Sequence, residues 1–124
     1  MANNTITAFE DLRVWQESQN LAVVIYAITK QFPKDEMFAI TSQLRRAASY
    51  VSANIAEGFG RKTVNDKSHF YVMSYGSLLE TKNFLYLANR LDYFDNQVLE
   101  NLIAQITSCQ KLLNAFKRGL QNDQ

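Results

Sequence analysis

His69 and Glu80 are the residues of this sequence best suited to proton chemistry. Histidine changes charge near neutral pH, and His69 is the only one in the chain. Glu80 lies on a helical stripe between Met73 and Phe84, where a buried carboxylate without a partner is costly. If the flanking segments fold back on each other about residues 61–62, Glu80 comes level with Gln43, Arg45 and Arg46, and Asn54 comes level with His69. We expect a structural polar cluster of Arg45 or Arg46 with Glu80, joined by Gln43 and Ser77, with Asn54 and His69 as a hydrogen-bonded pair. An ion pair that fixes helix register accounts for these residue types better than an acid–base site, because no second base or nucleophile accompanies them. Glu57 and Arg61, four apart, make an ordinary helix-surface pair.

Other site chemistries lack their residues. Carboxylate-bridged metal bundles need a Glu-x-x-His from each of two helices, and no glutamate stands three before His69. Zinc sites need several Cys and His, and the chain has one of each. Gly58-Phe59-Gly60-Arg61-Lys62 is too short for a phosphate loop, and no nucleophile elbow is present. The expectation is a non-enzymatic protein with no catalytic residues, no metal and no cofactor.

Phosphate binding is the remaining polar chemistry. The chain has 13 Lys+Arg against 12 Asp+Glu, a net charge of +1, which is a weak overall footprint for a nucleic-acid binder. Locally, Arg61, Lys62 and Lys67 cluster near the middle of the chain, and Lys117 and Arg118 near its end. These five are the candidate nucleic-acid contacts, Arg61 and Lys62 foremost because no core role competes for them. The last two also suit the negative pole of a helix. Tyr71, Tyr75 and Tyr86 have the aromatic faces to stack on bases, although aromatics at helical spacing more often belong to a core or an interface.

Four long segments must position these residues. The chain has 124 residues, 47% of them hydrophobic, with one proline and four glycines, enough for one cored domain and poor in the turns a β-sandwich needs. The periodicity predicts an all-α, antiparallel up-down-up-down four-helix bundle with helices near 9–31, 35–59, 65–91 and 95–119. Thr7 and Glu10 have capping-box spacing, and Asp35 and Glu36 suit the start of the second helix. The second stripe runs through Met37, Ile40, Leu44, Ala47, Val51, Asn54 and Gly58, with Gly58 as a stop. The third inward face is read as Phe70, Met73, Ser77, Glu80 or Thr81, Phe84, Ala88 and Leu91. The fourth steps through Leu99, Leu102, Ile106, Cys109, Leu113, Phe116 and Leu120, which makes Cys109 a core residue. Residues 1–8 are expected to be a flexible N-terminus, 9–120 the bundle and 121–124 a polar tail. A single cysteine, no export pattern and no apolar run of the ~18 residues that span a bilayer fit a cytoplasmic protein without a membrane.

The stretch Gln43-Leu44-Arg45-Arg46-Ala47-Ala48-Ser49-Tyr50-Val51-Ser52-Ala53-Asn54-Ile55-Ala56-Glu57-Gly58 resembles the small bacterial four-helix-bundle proteins named for 23S ribosomal RNA intervening sequences. Phe9-Glu10-Asp11-Leu12-Arg13-Val14-Trp15-Gln16, Phe32-Pro33 and Gly76-Ser77 with Glu80 carry the same resemblance, which extends over residues 9–118. Tyr50 departs from the serine usual at that position. The resemblance implies a four-helix bundle assembled as a homopentamer. It is also similar to accessory proteins of diversity-generating retroelements, which bind nucleic acid and a reverse transcriptase. The function implied is RNA or DNA binding within a ribonucleoprotein complex; the alternative is a protein-interaction scaffold without nucleic acid.

Overall fold

Asp95 begins the last helix by accepting the Val98 backbone N–H on its Oδ1 at 2.9 Å, and Thr63 begins the third by accepting that of Asp66 at 3.1 Å. These caps and the apolar periodicity give four α-helices: α1 (Arg13–Thr29), α2 (Ile40–Phe59), α3 (Val64–Arg90) and α4 (Asn96–Asn122). The structure, a computed structural model, describes residues 6–122 and their side chains through 120. Residues 1–5 of the expected flexible segment and 123–124 of the expected polar tail lie outside the described residues. No strand occurs among the described residues. Each helix packs on its neighbours in the chain, and α4 closes against α1, which is the expected up-down-up-down bundle.

The α4 stripe is as read from the sequence: Leu102, Ile106, Cys109 and Leu113 are buried, and Leu99, Phe116 and Leu120 pack against the core at its ends. The α2 stripe is buried from Ile40 to Gly58 except at Asn54, which is half-exposed. The expected α3 face is rotated. Tyr71, Ser74, Ser77, Leu78, Thr81, Leu85 and Ala88 point inward, while Met73, Glu80 and Leu91 are exposed and Phe70 and Phe84 are half-buried. Apolar residues surround α3, so periodicity did not single out a face. Close packing against α2 did, through small side chains. Ser74 Oγ donates to Val51 O at 2.7 Å, and Gly58 meets the ring of Tyr71.

Gly58 is therefore a point of close approach rather than a stop. It is buried within α2, which continues to Phe59, and a Cβ there would lie 2.6 Å from a Tyr71 ring carbon.

Two helix starts also differ from expectation. Thr7 and Glu10 form no capping box: a 3-10 turn spans Phe9–Asp11, Leu12 precedes α1, and Gln16 Nε2 donates to Glu10 O. The second helix does not begin at 35. Lys34–Glu36 form a 3-10 turn, residues 37–39 turn again, and α2 starts at Ile40, which leaves Met37 and Phe38 outside the core. The cause lies in how this end of the bundle closes. Phe32 is buried against Tyr93 and Phe94, with ring centroids 5.3 and 6.1 Å away, and the Tyr93 hydroxyl donates to Glu36 Oε2 at 2.6 Å. Opposite, α3 ends with Asp92 in the left-handed region (φ 64°). Tyr93 N–H donates to Ala88 O and Asp92 N–H to Asn89 O, the paired bonds of a Schellman termination.

Gly58→Ala should lower stability by about 1–3 kcal/mol, as overpacking against a buried ring does, whereas Gly76→Ala, with nothing within 4 Å, should raise it by about 0.5–1 kcal/mol. Urea unfolding of the two variants checks the contrast. A second expectation concerns alkaline pH. The bond to Glu36 pushes the Tyr93 phenol up to about 12, and burial does the same for Tyr71. The folded state therefore keeps protons that the unfolded chain releases near pH 10. Stability should be full below pH 10 and fall as pH rises toward 12, more shallowly in Tyr93→Phe, as thermal melts across that range would show.

Candidate nucleic-acid interface

The antiparallel course brings the end of α2, the start of α3 and the end of α4 together, and with them all five candidate phosphate contacts. Lys67 sits on the first turn of α3, where its Nζ donates to Phe59 O at 2.7 Å and lies 5.3 Å from the Phe59 ring. It closes the carbonyl end of α2, so part of its charge is already engaged. Lys67 also lines an apolar hollow of about 310 Å³ with Phe59, Tyr71, Phe116, Gly119 and Leu120, which joins the basic loop to the end of α4. Lys117 Nζ lies 5.7 Å from the Tyr75 ring, and Arg118 is exposed. Arg61 pairs with Glu57 at 3.1 Å, the expected helix-surface pair, and its guanidinium lies 4.6 Å from the Phe70 ring. Lys62 is exposed.

Five cations thus share this region with Glu57, whose carboxylate is engaged by Arg61, and Asp66. The start of α1 brings Glu10, Asp11, Arg13 and Glu17 to the same end of the bundle, so the positive surface belongs to the α2–α3 connection and the end of α4. Of the candidate stacking residues, Tyr71 is buried against Phe116 and unable to meet a base; Tyr75 is half-buried under Lys117, and Tyr86 is exposed.

The expected structural polar cluster does not form as an ion pair. Gln43, Arg46 and Glu80 border one surface hollow of about 360 Å³ with Ala47 and Tyr50, but Glu80 is exposed on α3. The only ion pair among the described residues is Arg61–Glu57. The rotation of α3 explains this: it carries Thr81 inward, bonded through Oγ1 to Ser77 O at 2.8 Å, and Glu80 outward. Arg45 turns to α1, with Nε donating to Thr29 Oγ1 at 2.8 Å and its guanidinium 4.8 Å from the Tyr26 ring, and Arg46 lies 5.7 Å from the Tyr50 ring. Ser77 is buried, as expected of an inward position. Asn54 and His69 are not paired. Asn54 Nδ2 donates to Tyr50 O, and His69 is exposed with its ring edge-on to Phe70. Cys109 is buried, and that burial pushes its thiol up to about 11, so it is a core residue and a poor nucleophile.

The family model of the 23S rRNA-intervening sequence protein matches residues 10–115, nearly the whole bundle. The chain belongs to that family. A crystal structure of a protein of unknown function from the S23 ribosomal protein family of Bacteroides thetaiotaomicron VPI-5482 is similar in fold, with a TM-score of 0.78 at 24% identity, covering 85% of this chain and 95% of the other. No curated protein matches the chain. Among the described residues, no group of three or more His, Cys, Asp or Glu is placed to hold a metal. No helix there is long and apolar enough to cross a membrane.

Sequence reasoning missed a second surface of this family member, the outer face of α1 and α2. Tyr26, Arg45 and Arg46 lie along it, and Phe38 stands beside it 97% exposed. The signal was present in Tyr26, which shares a helical face with Ala22 and Thr29, and in Arg45–Arg46, but assigning one or other of these arginines to Glu80 concealed it.

Proposed function

We propose that this protein is a non-enzymatic, oligomeric bundle that binds RNA or DNA as part of a cytoplasmic ribonucleoprotein complex. The observation that carries the reading is the gathering of Arg61 and Lys62 on the α2–α3 connection, Lys67 on α3, and Lys117 and Arg118 on α4 at one end of the bundle. Lys62 is exposed there and available to phosphate oxygens, and Arg61, exposed beside it, shares its guanidinium with Glu57. The solved relative's assignment to a ribosomal protein family agrees with an RNA partner. A net charge of +1 makes one subunit a weak polyanion binder, and assembly in a ring of five copies would multiply the patch.

Self-association is supported by the outer face of α3. Val72, Leu79 and Tyr86 recur at seven-residue steps and are 56%, 49% and 44% exposed, with Met73 and Leu87 beside them. An apolar seam of that period suits packing against a helix of another copy.

Reversing charge in Arg61→Glu/Lys62→Glu should weaken RNA affinity at least about tenfold and flatten the dependence of log affinity on log salt by about two units, one per lost phosphate contact. Titrations at several salt concentrations measure both, and an unchanged slope would remove these residues from the interface. Light scattering should give a mass several times the 14.2 kDa of one chain. Val72→Glu/Leu79→Lys should return it to one chain with its helical circular dichroism intact. A wild-type monomer would overturn the ring.

A further inference from the structure

The outer face of α1 and α2 is chemically unlike the basic end. Two hollows of about 450 and 440 Å³ adjoin along it and share Tyr26 and Ser49. Lys30, Arg45 and Arg46 line them, and no carboxylate does. Arg45 is held in place by its bond to Thr29 and by the Tyr26 ring beneath its guanidinium, while Arg46 lies over Tyr50. Glu80 borders Arg46 only in a separate hollow on the α3 side and forms no ion pair with it. At the rim stands Phe38, 97% exposed, on the turn before α2.

Among the described residues none of the three cations has an ion-pair partner, which asks for a polyanion, and the rings of Tyr26 and Phe38 narrow the choice. Duplex bases are stacked within the helix and offer no face to a side chain, whereas unstacked bases settle on aromatic rings with their phosphates on nearby guanidinium groups. An acidic peptide would answer the cations and leave the Phe38 ring in water. A second copy docking through its apolar α3 seam would cover the ring and bring one carboxylate of that seam, Glu80, to three cations. We infer that the α1–α2 face binds single-stranded nucleic acid, with Lys30, Arg45 and Arg46 on phosphates and Tyr26 and Phe38 against bases. This rests on the nucleic-acid reading above and adds a surface to it at the other end of α2.

Phe38→Ala and Arg46→Gln test it without disturbing the fold, since neither side chain is buried, whereas Arg45 is tied to Thr29. Fluorescence anisotropy would compare labelled oligo(U) and oligo(dT) with a mixed-sequence RNA duplex, alongside light scattering of each variant. Each substitution should weaken single-strand binding by about tenfold, the worth of one stacked base or one charged contact, with duplex binding changed less than about twofold. Arg61→Glu/Lys62→Glu should weaken both. Single-strand affinity unchanged in both variants, while the wild type binds, would overturn the surface alone; equal losses on strand and duplex would also overturn it, as sequence-blind charge. Weaker binding with a smaller particle would make the face an interface between copies and likewise overturn it. A wild type that binds neither probe would sink the functional reading and this surface together.

Discussion

The backbones of α2 and α3 lie as close as they do because the residues between them are small. The buried residues of α2 include Ala47, Ala48, Val51 and Gly58 and those of α3 include Ser74, Ser77 and Thr81; Ser74 reaches the Val51 carbonyl, and the large ring of Tyr71 fits because Gly58 has no side chain. Small hydroxyl residues can occupy such a seam only when their polar atoms are answered. Ser74 bonds across to Val51 O, and Thr81 bonds back to Ser77 O. The seam fixes the rotation of α3. That rotation sends Glu80 and the Val72–Leu79–Tyr86 row outward, which removes a buried ion pair and leaves an apolar stripe on the surface. One packing constraint thus decides both what the core excludes and what the exterior offers.

How much the amino-acid order reveals depends on how asymmetric each helix is. Along α4, apolar and polar residues alternate so clearly that its buried residues follow from spacing alone. In α3 the run Phe70-Tyr71-Val72-Met73 satisfies two faces equally, and the deciding contact comes from another helix. The start of α2 was hidden for a similar reason. Asp35 and Glu36 have the character of a helix beginning, but Tyr93, distant in sequence, takes Glu36 for itself. Gly58 shows the same limit, since a glycine that ends a helix and one that admits a neighbouring ring look alike in a string of letters.

At the candidate interfaces, the charges were legible and their partners were not. The cations near the α2–α3 loop and the α4 end converge as the bundle topology requires. Lys67 proves partly committed to the carbonyls of α2, and Arg61 to Glu57. Arg45 and Arg46, one or other of which was expected on Glu80, turn instead to tyrosine rings on the surface. Two cationic regions of different make-up result: a loop rich in exposed charge, and a groove where charge alternates with aromatic faces. Membership of the 23S rRNA-intervening sequence protein family secures the bundle, and these surfaces are what distinguish one role for it from another.

The hydroxyl of Tyr93 grips Glu36, and Phe38 follows only two residues later. At ~3.5 Å per residue, that leash keeps the Phe38 Cα within about 7 Å of the Glu36 Cα, so the exposed ring sweeps only the space its own side chain can reach from there. A side chain that looks loose is thereby kept on station by the opposite corner of the molecule, and a change in the α3–α4 turn would be felt first at a ring it never touches.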